Sequence, residues 1–215
     1  MTNKYMYFIA NWKMFGGINS LNSLDKVIKF LKSFKKKNLL KVIYCPPNTL
    51  INPMSNKLKN TKIYVGSQNC HENENFGPST GSVNSKMLKS VGASYVIIGH
   101  SEVRQRGETN NLINKKIKVA IKSGLKIIFC VGETLKEKKR KLTKKVLSKQ
   151  INLGLNKIKI INKIIFAYEP VWSIGTGKVL KNQDLKKQIL NIKNIIGKKF
   201  RKQKAKIIYG GSVNN

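Results

Sequence analysis

The chain has 215 residues, in which 43 lysines and arginines face 9 acids for a formal net charge of +34. That length supports a single domain with a sizeable core, and the absence of any eighteen-residue apolar run speaks against a membrane-spanning helix. The basic residues are nearly all lysine, with arginine only at Arg104, Arg106, Arg140 and Arg201. The forked donors that read base edges are therefore scarce, and the charge reads as a solvated lysine surface rather than a specific nucleic-acid site.

Taken in order, the chain opens with an apolar stretch interrupted by Asn11 and Lys13, without a signal-peptide pattern. Seven short β-rich runs follow one another: Tyr5–Ala10, Lys41–Cys45, Lys62–Gly66, Ser94–Gly99, Lys126–Val131, Lys163–Tyr168 and Lys206–Tyr209. They are apolar on both sides, the pattern of parallel strands covered on both faces. Between them, Ser20 to Lys36 carries an apolar stripe of Leu21, Leu24, Val27, Ile28 and Leu31, which predicts a helix. Pro53 to Leu58 predicts a turn or two. Asn110 to Ser123 predicts a helix stopped by Gly124. Glu137 to Ile158 predicts a long helix with a break at Gly154, and Asp184 to Ile196 another ended by Gly197. Cys45, Cys70 and Cys130 are odd in number and lack metal-ligand spacing, so reduced thiols in a cytoplasm are expected. His71 and His100 are the only histidines, and no metal site is predicted.

Strand and helix alternation on this scale allows a doubly wound sheet or a (β/α)8 barrel. Polar signals fall just after the strand ends: Asn11 and Lys13, Gln68, His100, Cys130, Glu169, and Gly210 to Ser212. In a barrel these points converge on one rim, and no Gly-x-Gly-x-x-Gly follows the first strand to favour a dinucleotide fold. The expected fold is an α/β barrel, one domain over residues 1–215.

The most informative stretch runs from Ala167 to Lys178. A carboxylate, Glu169, stands at a strand end, and Pro170 redirects the chain at once. Val171, Trp172 and an apolar tip, Ile174, follow, then Gly175 and Gly177, which can bring backbone N–H groups close to an anion. A base followed by a closable flap points to proton abstraction from a phosphorylated substrate. Elsewhere, Lys13 after the first strand suits a phosphate or a developing enediolate, although the tripeptide Asn11-Trp12-Lys13 alone reads equally as surface. His100 stands at the start of a short helix at Ser101, where imidazolium is disfavoured. Cys130 reads as packing beside the base, and Gly210-Gly211-Ser212 as a phosphate-cradling turn. His71 reads as a loop residue.

Five motifs carry a resemblance: Ala10-Asn11-Trp12-Lys13-Met14, Ile98-Gly99-His100-Ser101-Glu102, Phe129-Cys130-Val131-Gly132-Glu133, Ala167 to Lys178, and Ile208 to Ser212. Their order and wording resemble the triosephosphate isomerase family from Ile9 to Val213. The resemblance implies interconversion of dihydroxyacetone phosphate and glyceraldehyde 3-phosphate, in glycolysis and gluconeogenesis, without cofactor or metal. It implies Glu169 as base, His100 handling the oxygen protons, and Lys13 and Asn11 on the enediolate. Gly175, Gly210, Gly211 and Ser212 would hold phosphate. Pro170, Val171, Trp172, Ile174, Gly177 and Lys178 would form the lid, with Ser101, Glu102 and Cys130 in support. A neutral histidine paired with a glutamate base is the family's own arrangement, so these roles are carried over. The family also implies a homodimer with Thr80 at the interface. The glutamate and arginine that pair between its subunits are replaced here by Ser82 and Val103.

The chain departs from the family at Asn215, before an eighth strand and its second Gly-Gly turn. From this follows the expectation of unpaired edges at the first and seventh strands, and of a barrel that is weakly stable, weakly active or a fragment. An inactive remnant is the alternative reading.

Overall fold

The computed structural model describes residues 5–177, 179–201 and 203–211. They fall into two compact units, one reaching Ile97 and including Val119–Lys126, the other made of Ile98–Lys118 and the residues from Ile127 onward. In the first, β1 (Met6–Asn11), β2 (Leu40–Cys45), β3 (Ile63–Ser67) and β4 (Tyr95–Ile98) follow one another. β1 pairs β2 in parallel from Met6↔Leu40 to Asn11↔Cys45, β2 pairs β3 from Val42↔Ile63, and β3 pairs β4 at Gly66↔Tyr95. The intervening helices are α1 (Leu24–Ser33), α2 (Ile51–Leu58) and α3 (Ser85–Ser90).

The second unit carries α4 (Ser101–Gln105) and most of α5 (Asn110–Lys122). It continues through β5 (Lys126–Val131), α6 (Leu135–Lys139), α7 (Thr143–Gly154), β6 (Ile164–Tyr168), α8 (Asn182–Lys199) and β7 (Lys206–Tyr209). β5 pairs β6 and β6 pairs β7, again in parallel, so that Val131, Tyr168 and Tyr209 share one row. Consecutive parallel strands joined by helices are the α/β barrel class, with seven strands among the described residues.

The strands begin and end within a residue of the expected positions, while the helices differ more. The long helix over 137–158 is two. Thr134 and Glu137 form a reciprocal cap that starts α6 early, and Lys141 at φ 57 breaks it before α7. The break therefore lies near Lys141, and Gly154 is the last residue of α7. α8 runs past Gly197, because Ile195, Ile196 and Phe200 are buried and hold the last turn. A 3-10 segment, Ile18–Ser23, takes the place of the first turn predicted for α1. α3 was not anticipated; Asn84 caps it by accepting the Met87 N–H at 2.9 Å.

Burial follows the expected two-sided pattern in β4, β5 and β6, whose residues are buried apart from Lys126. β1 breaks that pattern: Met6 and Phe8 are exposed while Tyr7 and Ile9 are half-buried. It behaves as a strand covered on one face only.

One buried polar contact ties the helices of the second unit together. Asn114 of α5 donates through Nδ2 to the carbonyls of Gly154 at 2.8 Å and Asn156 at 2.9 Å, at the end of α7. Asn114→Ala strands both acceptors, and a loss of about 1–3 kcal/mol in unfolding free energy is expected by urea denaturation.

Candidate active site

The register of β5, β6 and β7 positions Glu169. The residues after the shared row of Val131, Tyr168 and Tyr209 are Gly132, Glu169 and Gly210, so a glycine stands on either side of Glu169. The Glu169 N–H donates to Val131 O at 2.8 Å, and the Gly210 N–H to Tyr168 O at 2.9 Å, carrying the ladder past the strand ends. Neither glycine tolerates a side chain. A Cβ at Gly132 would lie 1.9 Å from Glu169 O, and one at Gly210 would lie 2.6 Å from Glu169 Cγ and 2.8 Å from its Oε1. Gly132 makes room for the Glu169 backbone and Gly210 for its side chain, and between them they form the slot that Glu169 fills.

His100 faces that slot. It is buried and caps α4, where Nδ1 accepts the Glu102 N–H at 3.3 Å. An uncharged ring that accepts at Nδ1 carries its proton on Nε2. Nε2 lies 3.8 Å from Glu169 Oε2. Glu102 thus contributes its backbone amide to His100, with its carboxylate 3.7 Å from the same Nδ1. Ser101 is buried in the first turn of α4. Cys130 is buried on β5 opposite Ala167 of β6, consistent with packing.

Two residues escaped the sequence reading. Glu133 is buried, accepts from Trp172 Nε1 at 3.0 Å and from Tyr168 OH at 3.2 Å, and receives the Val171 N–H on its backbone oxygen at 3.0 Å. Lys138 places its ammonium 3.4 Å from the centre of the Trp172 ring. The root of the segment after Glu169 is thereby anchored, and Ser173, bonded to Tyr209 OH at 3.0 Å, extends the anchor. Its tip is exposed: Gly175 and Gly177 adopt φ 68 and φ 69, and the Thr176 hydroxyl donates back to Trp172 O at 3.0 Å. Arg104 is the second. Its guanidinium donates to Gly99 O at 2.7 Å, Asn110 Oδ1 at 2.7 Å and Cys130 O at 3.2 Å, pinning the turn that presents His100. The glutamate that closes the fifth-strand motif was the available signal for Glu133; an arginine among so many cations gave none.

In the first unit, Asn11 ends β1 and its Oδ1 accepts the Lys13 N–H at 3.0 Å. Lys13 sits at φ 52, a left-handed conformation that costs a non-glycine residue about 1–2 kcal/mol. Gln68 holds it there, donating from Nε2 to Lys13 O at 2.7 Å and Cys45 O at 2.9 Å. His71 lies in a loop, accepting the Asn73 N–H on Nδ1 and contacting Ser79 Oγ at 3.2 Å. Thr80 is exposed at the tip of that loop beside Gly81 at φ 80. Lys178 and Ser212 lie outside the described residues. Among the described residues no group of three or more His, Cys, Asp or Glu could hold a metal, and no helix is long and apolar enough to cross a membrane.

Comparison with known proteins bears on this arrangement. The family model for triosephosphate isomerase matches residues 6–215. The chain is 43% identical over 212 residues to the triosephosphate isomerase of Dictyoglomus thermophilum, covering 95% of this chain and 84% of that protein. It is 41% identical over 213 residues to that of Carboxydothermus hydrogenoformans, covering 96% and 84%. Its structure is similar to the crystal structure of triosephosphate isomerase from Bartonella henselae, with a TM-score of 0.86 and 34% identity over 96% of this chain and 83% of the other.

Burial holds the Glu133 carboxyl above its ordinary range, and the hydrogen bonds from Trp172 and Tyr168 only partly offset this. The native state therefore keeps the Glu133 proton to higher pH than the unfolded chain does. Its contribution to stability is full below the ordinary carboxylate value and is lost as pH rises through the raised one. Glu133→Gln keeps an acceptor for Trp172 but does not titrate. Its Tm relative to the parent should rise as the pH climbs above the ordinary carboxylate value; a difference that is flat or falling with pH would contradict the burial argument.

Proposed function

The chain belongs to the triosephosphate isomerase family and carries out that family's aldose–ketose isomerisation, and from this premise we propose that Glu169, His100, Lys13 and Asn11 carry the reaction. Glu169 takes a proton from the carbon beside the carbonyl of a triose phosphate and returns it to the neighbouring carbon, which interconverts dihydroxyacetone phosphate and D-glyceraldehyde 3-phosphate. His100, uncharged and donating from Nε2, serves the oxygens of the enediolate. The ammonium of Lys13 and the amide of Asn11 stabilise its negative charge. The reaction is written without cofactor or metal.

The observation that carries this reading is the facing pair in the second unit. The only nitrogen of His100 left to donate once Nδ1 has accepted the Glu102 amide lies 3.8 Å from the carboxylate of a glutamate at a strand end. For Lys13 and Asn11 the support is their motif together with the strained backbone that Gln68 maintains. Phosphate falls to the backbone amides of Gly175 and Gly211 and to the Ser212 hydroxyl. Gly210, whose N–H is given to Tyr168 O, contributes by leaving room for the carboxylate. The segment from Pro170 to Lys178, anchored at Glu133 and exposed at its tip, closes over the substrate with Ile174 excluding water.

A homodimer is part of the same proposal, with Thr80 at the interface and polar contacts that differ from the usual pair because Ser82 and Val103 replace it. Residence in a reducing cytoplasm fits the three buried free thiols.

A coupled isomerase assay tests the assignment. Glu169→Ala should lower kcat by roughly 10²–10⁴-fold or more, and Glu169→Asp by less; wild-type turnover in both would remove the base. Gly210→Ala should lower kcat severely while the fold persists by circular dichroism, since the added methyl needs the space of Glu169 Cγ. Light scattering of the purified chain should give twice the monomer mass.

A further inference from the structure

A second concavity lies in the first unit, at the opposite ends of β2 and β3 from Gln68. It encloses about 190 Å³ between the last turns of α1 and the first residues of the two strands. Its walls are apolar: Ile28 and Leu31 from α1, Val42 from β2, Ile63 from β3. Lys32, Lys37 and Lys62 also line it, with Asn60 and Thr61, and no acid does. Lys37 Nζ donates to the Lys32 carbonyl at 3.0 Å and Lys62 Nζ to Asn38 Oδ1 at 2.5 Å. Both acceptors are neutral, so these bonds position the two ammonium groups without cancelling their charge. The acid on α1, Asp25, is already engaged by Lys57 at 2.8 Å.

An apolar hollow bounded by uncompensated cations selects a particular ligand chemistry. Inorganic phosphate would meet the lysines but leave the hydrocarbon walls against water, and a neutral hydrocarbon would leave the charges unmatched. The volume suits a small guest, since an apolar cavity of roughly 150 Å³ accepts benzene. We propose that this hollow binds a small amphiphilic carboxylate, a short-chain fatty acid or arylalkanoic acid. Its tail lies between α1 and the strands and its carboxylate meets Lys37 and Lys62. The site is separate from the strand ends that carry Asn11 and Gln68 and does not depend on the isomerase assignment.

Calorimetric titration of the full chain with octanoate, 1-octanol and acetate tests the idea at low salt. Octanoate should saturate one site, octanol should bind roughly tenfold more weakly, and acetate should give no saturable heat. The double variant Lys37→Met with Lys62→Met should bring octanoate down to the affinity of octanol, which itself stays unchanged. Both substitutions are on the lining's polar side, and an unaltered Tm checks that the fold persists. Ile28→Trp, filling the hollow from the helix, should abolish binding of both. Equal affinity for octanoate and octanol, no saturation by octanoate, or an octanoate affinity indifferent to the two lysines would each overturn the proposal.

Discussion

The candidate site depends on a steric constraint more than on any single attraction. Glu169 occupies a slot whose two walls are backbone, because the residues level with it on the neighbouring strands, Gly132 and Gly210, have no side chains. The missing Cβ at Gly210 leaves the Glu169 side chain the space its rotamer needs, and strand register sets where that side chain stands. Positioning of this kind lowers the ordering cost when a substrate arrives.

In each unit, orientation is supplied by bonds to backbone amides and carbonyls. The first turn of α4 donates an N–H to His100 and so decides which ring nitrogen faces Glu169. Arg104 secures the turn beneath it by binding carbonyls of Gly99 and Cys130. Lys13 is held in an unfavourable backbone conformation by Asn11 and Gln68. In each case a short polar contact converts a flexible side chain or a strained residue into a fixed one. The segment after Glu169 is different: rigid at Glu133 and Trp172, and exposed where its glycines lie. That division between anchored root and exposed tip is what a closing lid requires.

Much of this was legible in the residues. Strand limits could be read because parallel strands covered on both faces leave continuous apolar runs, and the polar residues that follow such runs mark the chemically active ends. Helix limits were less legible. The break at Lys141 rests on a left-handed lysine with no compositional sign, and α8 continues through Gly197 because burial of Ile195 and Phe200 outweighs the glycine's propensity. β1 reads as a two-sided strand, yet Met6 and Phe8 are exposed, since whether a face is covered depends on what packs there and not on the strand's own letters.

The sequence alone determined the class of fold and the family, and it singled out Glu169, His100, Lys13 and Asn11 as the proposed site, because strand periodicity and motif wording are local properties of the chain. Only the tertiary structure decided that Gly132 and Gly210 flank Glu169, that Glu133 holds Trp172, and that Arg104 underlies His100. These facts follow from strand register and from contacts between residues distant along the chain, and a one-residue shift in register would undo them.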